Sequence, residues 1–375
     1  MTILITLFKW HLRSIYFFIK LFTKQNNKQI LFLSRQSATP SLDYRMLKED
    51  FNKRYPEYKI VILNKLLLKK NIISYYFHIY KQMHYLATSK VCLIDTYIIP
   101  VSVLKHKKGL TIIQLCHGVG NIKKFGYQTL KNASGKGEKL SKLMQMHEGY
   151  DYLISTSKAT SKFYAEAFNM KMDQMINIGT PKIDYILNIK DKKEEVLKKY
   201  PHLKDKPVIL YVSTFRTYED DYLKKFTLNA PVDDYNIIMH IHPVAYKYHP
   251  DIDKYITDDR IYRCKDFPTV ELLSVADIVI TDYSSFVFES ALLNIPTYLY
   301  VPDYDKYTKM NGLNVDIFKE LPNVVCKNAK ELFQKIKNNN YDYNNLERFK
   351  NKYIEYAKGD STKKIVDFMI EKAKS

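Results

Sequence analysis

The strongest constraint on this chain is a repeating pattern. Short, β-branched apolar runs occur at 29–34, 58–63, 91–95, 111–116, 151–155 and 175–178, with helical stretches between them. A second series follows at 208–212, 235–239, 278–281, 297–300 and 323–326. Strands that alternate with helices form parallel sheets covered by helices on both faces. The charged interval 192–206, broken by Pro201 and followed by Pro207, separates the two series. The spacing therefore predicts two doubly wound α/β domains, 26–195 and 207–375, and 375 residues suffice for two cores. In such folds ligands bind beyond the carboxyl ends of the strands, which predicts a cleft there.

Several function classes are disfavoured at once. Neither half carries GxGxxG or GxxxxGK[ST], which argues against a dehydrogenase or a P-loop NTPase. Cys92, Cys116, Cys264 and Cys326 lie far apart with no CxxC, so they read as reduced cysteines rather than a zinc site, and no metal or cofactor is expected. The net charge of +19 demands an anionic partner. Nucleic acid is not the expectation, because the lysines are spread through the chain and no binding module is recognisable. Phosphorylated substrates and an anionic membrane surface remain.

The first 25 residues are apolar but are interrupted by Lys9, His11, Arg13 and Lys20, which argues against a spanning helix. On a helical wheel Lys9, Arg13, Lys20 and Lys24 fall within about 60° of one another, with Leu4, Leu7, Ile15, Phe18 and Phe22 roughly opposite. That pattern predicts an interfacial helix at 1–25 with its basic edge at the headgroups; the alternative is a helix packed on the protein's own core. The segment 130–141, with Gly135 and Gly137, reads as a flexible loop, either a flap or plain surface.

Four strand-end segments could carry chemistry. His117, before Gly118, could deprotonate a hydroxyl near neutral pH. Thr214 and Arg216 offer a hydroxyl, an amide and a bidentate fork for phosphate. His240 and His242 alternate along one strand and point the same way, toward phosphate rather than metal because no acidic partner is nearby. Finally, Thr281-Asp282-Tyr283-Ser284-Ser285 closes a strand and opens a helix, an arrangement that binds anions, and Glu289 sits one turn further on. For each there is a plainer reading: a satisfied histidine, a surface arginine, an ordinary serine N-cap.

Taken in order, these segments resemble the CDP-glycerol glycerophosphotransferase family, the teichoic-acid primases and polymerases. The resemblance rests on His117-Gly118, on Gly179-Thr180-Pro181-Lys182-Ile183-Asp184 against G-x-P-x-x-D, on Ser213-Thr214-Phe215-Arg216, on His242-Pro243, and on the run Ala276–Ser285 against A-D-x-x-I-T-D-Y-S-S. It implies two Rossmann-like domains of the GT-B type facing a cleft. It also implies metal-independent transfer of glycerol phosphate from CDP-glycerol, or of another polyol phosphate from CDP-ribitol, to an undecaprenyl-diphosphate-linked glycan, with release of CMP. The implied place is the cytoplasmic face of the membrane, as a peripheral protein. In that scheme His117 is the base and His242 steadies the transferring phosphate. Thr214, Arg216, His240, Thr281, Ser284 and Ser285 hold the diphosphate side of the donor, and Glu289 the ribose. Two family arginines are replaced, by His240 and by Asn311, and an expected Pro-Gly reads Pro322-Asn323. These departures bear on which donor is used, and a GT-B transferase acting on a nucleotide sugar is the further alternative.

Overall fold

The computed structural model describes residues 2–116, 118–130, 137–218, 221–256 and 258–375. His117 and residues 131–136 of the 130–141 loop, both singled out above, lie outside the described residues. The chain divides into two compact units: Met1–Gly118, Phe125–Asp184 and Tyr356–Ser375 form one, Val119–Lys124 and Tyr185–Glu355 the other.

The first unit is built on six parallel strands, β1 (Gln29–Ser34), β2 (Lys59–Asn64), β3 (Val91–Ile94), β4 (Thr111–Gln114), β5 (Tyr152–Ser155) and β6 (Met175–Asn177), in the order β2-β1-β3-β4-β5-β6. The helices that matter here are α1 (Thr2–Phe22), α2 (Leu42–Arg54), α3 (Ile72–Thr88) and α4 (Ile99–Val103). The period-two geometry of a strand sorts the core. Leu31, Leu33, Cys92 and Ile94 pack with residues of α1, α3 and α4, whereas Ile30, Phe32, Val91 and Leu93 pack with α2 and the C-terminal helix Ser361–Lys374. That helix inserts Ile365, Val366, Met369 and Ile370, each side chain worth roughly 1.5–3 kcal/mol of burial. The last residues therefore belong to the first unit, which differs from the expected 207–375 boundary.

The second unit repeats the plan with β7 (Val208–Ser213), β8 (Asn236–Ile241), β9 (Ile261–Tyr262), β10 (Ile278–Thr281), β11 (Thr297–Tyr300) and β12 (Val325–Cys326). All are parallel, in the order β12-β11-β10-β7-β8-β9. This is the doubly wound order in which the winding direction reverses between the first and fourth strands, here β7 and β10.

Helix α1 differs in orientation from the sequence expectation. Leu12 and Tyr16 are buried, and Tyr16 hydrogen-bonds His106 Nδ1 at 2.9 Å. The basic edge turns toward the protein: Lys9 donates to the Leu143 carbonyl (2.8 Å), Arg13 to Val103 (3.0 Å) and Lys20 to Lys105 (2.7 Å). What faces outward is apolar, including Leu4, Leu7, Trp10, Phe18 and Phe22, the last 81% exposed. By length and composition α1 is long and apolar enough to cross a membrane, against the argument from its charges.

The G-x-P-x-x-D segment is a structural staple. Gly179 has φ +80, and a Cβ there would lie 2.2 Å from Ser361 Oγ. Pro181 opens the helix Pro181–Leu187, on which Asp184 accepts hydrogen bonds from the Ser361 amide (3.0 Å), the Thr362 amide (2.7 Å) and the Thr362 hydroxyl (2.7 Å). Asp184 thus satisfies the otherwise free amides at the start of the C-terminal helix. Replacing it strands buried donors, so Asp184→Ala is expected to cost about 2 kcal/mol in chemical denaturation. A denaturation midpoint equal to wild type would show that the staple carries no stability.

Candidate active site

The reversal between β7 and β10 gathers most of the residues the sequence singled out. Thr281 donates its hydroxyl to the Val212 carbonyl at 2.7 Å, locking the ends of the two strands together. One step further, Asp282 accepts from the Thr214 amide (2.9 Å) and the Thr214 hydroxyl (2.7 Å). Arg216 lies beneath them and is 2% exposed. It donates to Asp282 (2.6 Å), to both oxygens of Asp303 (2.8 and 3.1 Å) and to the Thr214 carbonyl (2.7 Å). Its guanidinium also sits over the rings of Tyr222, Tyr283 and Tyr307, the latter two stacked at 3.8 Å. Burial works against the charge, but the paired carboxylates raise the Arg216 pKa well above its ordinary value. Asp303, despite burial, is held below the ordinary carboxylate range by Arg216 and by the Tyr218 and Tyr283 hydroxyls. The Thr281 hydroxyl is thus engaged by the Val212 carbonyl, and the Thr214 hydroxyl and the Arg216 guanidinium by Asp282 and Asp303, within the protein.

What these residues present is the turn above them. The helix that follows is Phe286–Leu292; Ser284 Oγ accepts from the Phe286 amide at 3.2 Å, and Ser285 makes no side-chain cap. Glu289 is buried within that helix. At the end of β8, His242 is exposed and its Nδ1 accepts from the Val244 amide at 3.1 Å. In the neutral ring this puts the hydrogen on Nε2. Partial burial first, then Lys123, lower the His242 pKa, while Asp282 opposes them. His240 is lowered as well, by burial and then by Arg263 and His242. Both histidines are consequently neutral near pH 7.

A cation to which the sequence alone assigned no role completes the group. Val119–Lys124 belongs to the second unit: Lys123 bridges Leu313, and the Lys124 amide donates to the Gly312 carbonyl at 3.1 Å. A Cβ on Gly120 would lie 2.7 Å from the Phe288 ring, so glycine is what lets the segment lie against that helix. The Lys123 ammonium has no hydrogen bond or salt bridge among the described residues, and feels Asp282, Arg216 and His242 through space. Burial lowers its pKa and Asp282 opposes that shift. The only signal in the sequence is a Lys-Lys pair six residues beyond the candidate base.

In the first unit the residue before His117 is distorted: Cys116 has φ +50, a left-handed conformation that is costly for a side chain of this kind. At that sheet's own reversal, between β1 and β3, burial pushes the Asp95 carboxyl up to about 6 while the Ser34 and Thr96 hydroxyls hold it down. Among the described residues no group of three or more His, Cys, Asp or Glu side chains could hold a metal ion.

Residues 15–371 match the family model of the CDP-glycerol:poly(glycerophosphate) glycerophosphotransferases. A teichoic acid ribitol-phosphate primase of Bacillus spizizenii is 31% identical over 87% of this chain and 85% of its own length. A teichoic acid glycerol-phosphate primase of Bacillus subtilis is 29% identical over 81% and 78%. The fold is shared with a variant of the wall teichoic acid polymerase TagF soaked with CDPG, with a TM-score of 0.75 and 20% identity over 98% of this chain and 94% of that one. Two doubly wound sheets of the GT-B type, the ordered motifs and a match over nearly the whole length lead to one conclusion: the chain is an enzyme of the CDP-glycerol:poly(glycerophosphate) glycerophosphotransferase family.

Proposed function

We propose that this enzyme transfers a polyol phosphate, glycerol phosphate in the first instance, from its CDP-activated form to a lipid-linked acceptor in teichoic acid synthesis. The observation that carries the reading is the Asp282–Ser285 turn at the reversal of the second sheet, in a chain of this family. CDP-ribitol is the second candidate donor, favoured by the ribitol-phosphate primase among the relatives.

The chemistry is a displacement at the donor's β-phosphate. The acceptor hydroxyl oxygen bonds to phosphorus, the bond to CMP breaks, CMP leaves with the electron pair, and the hydroxyl proton passes to His117. Such a transition state spreads charge over the phosphate oxygens, so fixed donors and cations are what it needs. Neutral His242 offers Nε2–H, Ser285 a hydroxyl, and Lys123 a positive charge not paired among the described residues. Arg216 acts behind them as a positioning residue, fixing the two loops through Asp282 and Asp303. Lys123 takes over the role toward phosphate expected of Arg216, and it offsets the cations absent at His240 and Asn311.

The acceptor lies in a membrane, and the protein meets it peripherally at the cytoplasmic face. The supporting observations are the outward apolar face of α1 and the net charge of +19. Trp10, the single tryptophan, is 69% exposed on that face. Its emission is expected to shift to the blue on adding vesicles that contain anionic lipid. An unshifted spectrum with no co-sedimentation would remove the membrane from this account.

The reaction itself is read by CMP release from CDP-glycerol and CDP-ribitol, each with a lipid-linked disaccharide. Acceptor-dependent release lost in His117→Ala is expected, and the faster donor names the polyol. Release from neither donor, or full activity in His117→Ala, contradicts the scheme. In the same assay Lys123→Met is expected to raise the donor KM about tenfold or more with an unchanged melting temperature, since hydrogen bonds to charged groups are worth that much. Arg216→Lys is expected to lower the melting temperature. A donor KM unchanged in Lys123→Met would remove that residue from the site.

A further inference from the structure

Away from the second unit's loops, the first unit carries a basic hollow that the scheme above does not use. It lies at the carboxyl end of β2, against α3, with a volume of about 560 Å³. Asn64, Lys65, Asn71, His78 and Lys81 supply its polar groups, and among the described residues no carboxylate lines it. Two buried atoms in it have no hydrogen-bond partner, Asn64 Oδ1 and His78 Nε2. Buried polar atoms are nearly always paired, so the His78 nitrogen stands out as a group that can donate to an anion in its Nε2–H tautomer, whereas Asn64 Oδ1 can only accept and its amide nitrogen already donates to the Thr39 carbonyl at 2.7 Å. Lys65 is held in place by the Ser74 carbonyl at 3.1 Å and the Ser74 hydroxyl, whereas Lys81 is exposed and makes no hydrogen bond or ion pair among the described residues. The two ammonium groups are close enough to His78 to act, after burial, in lowering its pKa to about 4.

A second hollow, also about 560 Å³, adjoins the first and shares Asn71 with it. Its character is different: Ile72, Ile73 and Phe77 line it and are 62%, 73% and 66% exposed. Ile73, Phe77 and Lys81 follow one another at intervals of four along α3, so apolar and cationic side chains share one helix face. A cationic recess with free hydrogen-bonding atoms beside an exposed apolar strip is matched to an amphiphile with a doubly charged head and a hydrocarbon tail.

We infer that these adjoining hollows bind the diphosphate and first prenyl units of the membrane-anchored acceptor, with Lys65, Lys81 and His78 on the head and Ile73 and Phe77 on the tail. This rests on the reading of the acceptor as lipid-linked. The site holds the acceptor's anchor, on a different sheet from the donor's diphosphate.

The test is equilibrium binding of farnesyl diphosphate to the full chain, beside farnesol and inorganic pyrophosphate. Farnesyl diphosphate is expected to bind saturably and more tightly than either fragment. Lys81→Glu is expected to weaken it about tenfold or more, Lys81→Arg to retain it, and Phe77→Ser to weaken it while leaving pyrophosphate unaffected. Both side chains are exposed, so folding is spared, and CDP-glycerol affinity is expected to be unchanged in all three variants. Equal binding of pyrophosphate would mean a soluble anion, and equal binding of farnesol a merely greasy surface; either overturns the proposal. So does farnesyl diphosphate binding indifferent to Lys81→Glu and Phe77→Ser. Absence of CMP release in the wild type would instead fault the catalytic reading, which this binding measurement does not use.

Discussion

The buried contact of Arg216 with Asp282 and Asp303 is what the candidate donor site depends on. Taking an arginine and two carboxylates out of water costs several kcal/mol per ion, and only dense pairing offsets that. Here the guanidinium makes four hydrogen bonds to carboxylate and carbonyl oxygens and is boxed by three tyrosine rings. Removing one partner from such a group typically costs roughly 3–5 kcal/mol, because a charge is left buried and unpaired. The network therefore serves geometry. It fixes the loop after β7 to the turn after β10, so that Ser284 and Ser285 are held at the reversal of the sheet.

The same division between holding and touching runs through the other motifs. Gly179, Pro181 and Asp184 hold the C-terminal helix, and Gly120 lets the segment carrying Lys123 lie against Phe288. None of these needs to meet a substrate. Among the described residues the groups left over include neutral His242, the Ser285 hydroxyl and the Lys123 ammonium in the second unit, and the Lys65, His78 and Lys81 recess in the first.

The two sheets were legible in the chain because most of their strands are short, β-branched apolar runs, fully buried in β1, β3, β7 and β11 and only partly so at the edge strands β2 and β6. β9 (Ile261–Tyr262) was not, being two residues at a sheet edge with little apolar pattern. The candidate site was legible in position but not in function. A strand-end arginine reads as a fork for phosphate until its partners are known, and Asp282 and Asp303 lie 66 and 87 residues away in sequence. Lys123 was hidden for the same reason, since only the fold brings it under the influence of Asp282. The wheel of α1 separated a basic edge from an apolar face, but periodicity carries no sign. Which face turns inward was decided by the carbonyls of Leu143, Val103 and Lys105.

The measurement that goes most directly to the central claim is a crystal structure of the enzyme with CDP bound. The account predicts the diphosphate against Ser285 and His242, the Lys123 ammonium on a phosphate oxygen, and Arg216 still paired with Asp282 and Asp303. A diphosphate gripped by Arg216, with those pairs broken, would contradict it, as would CDP seated away from the ends of β7 and β10.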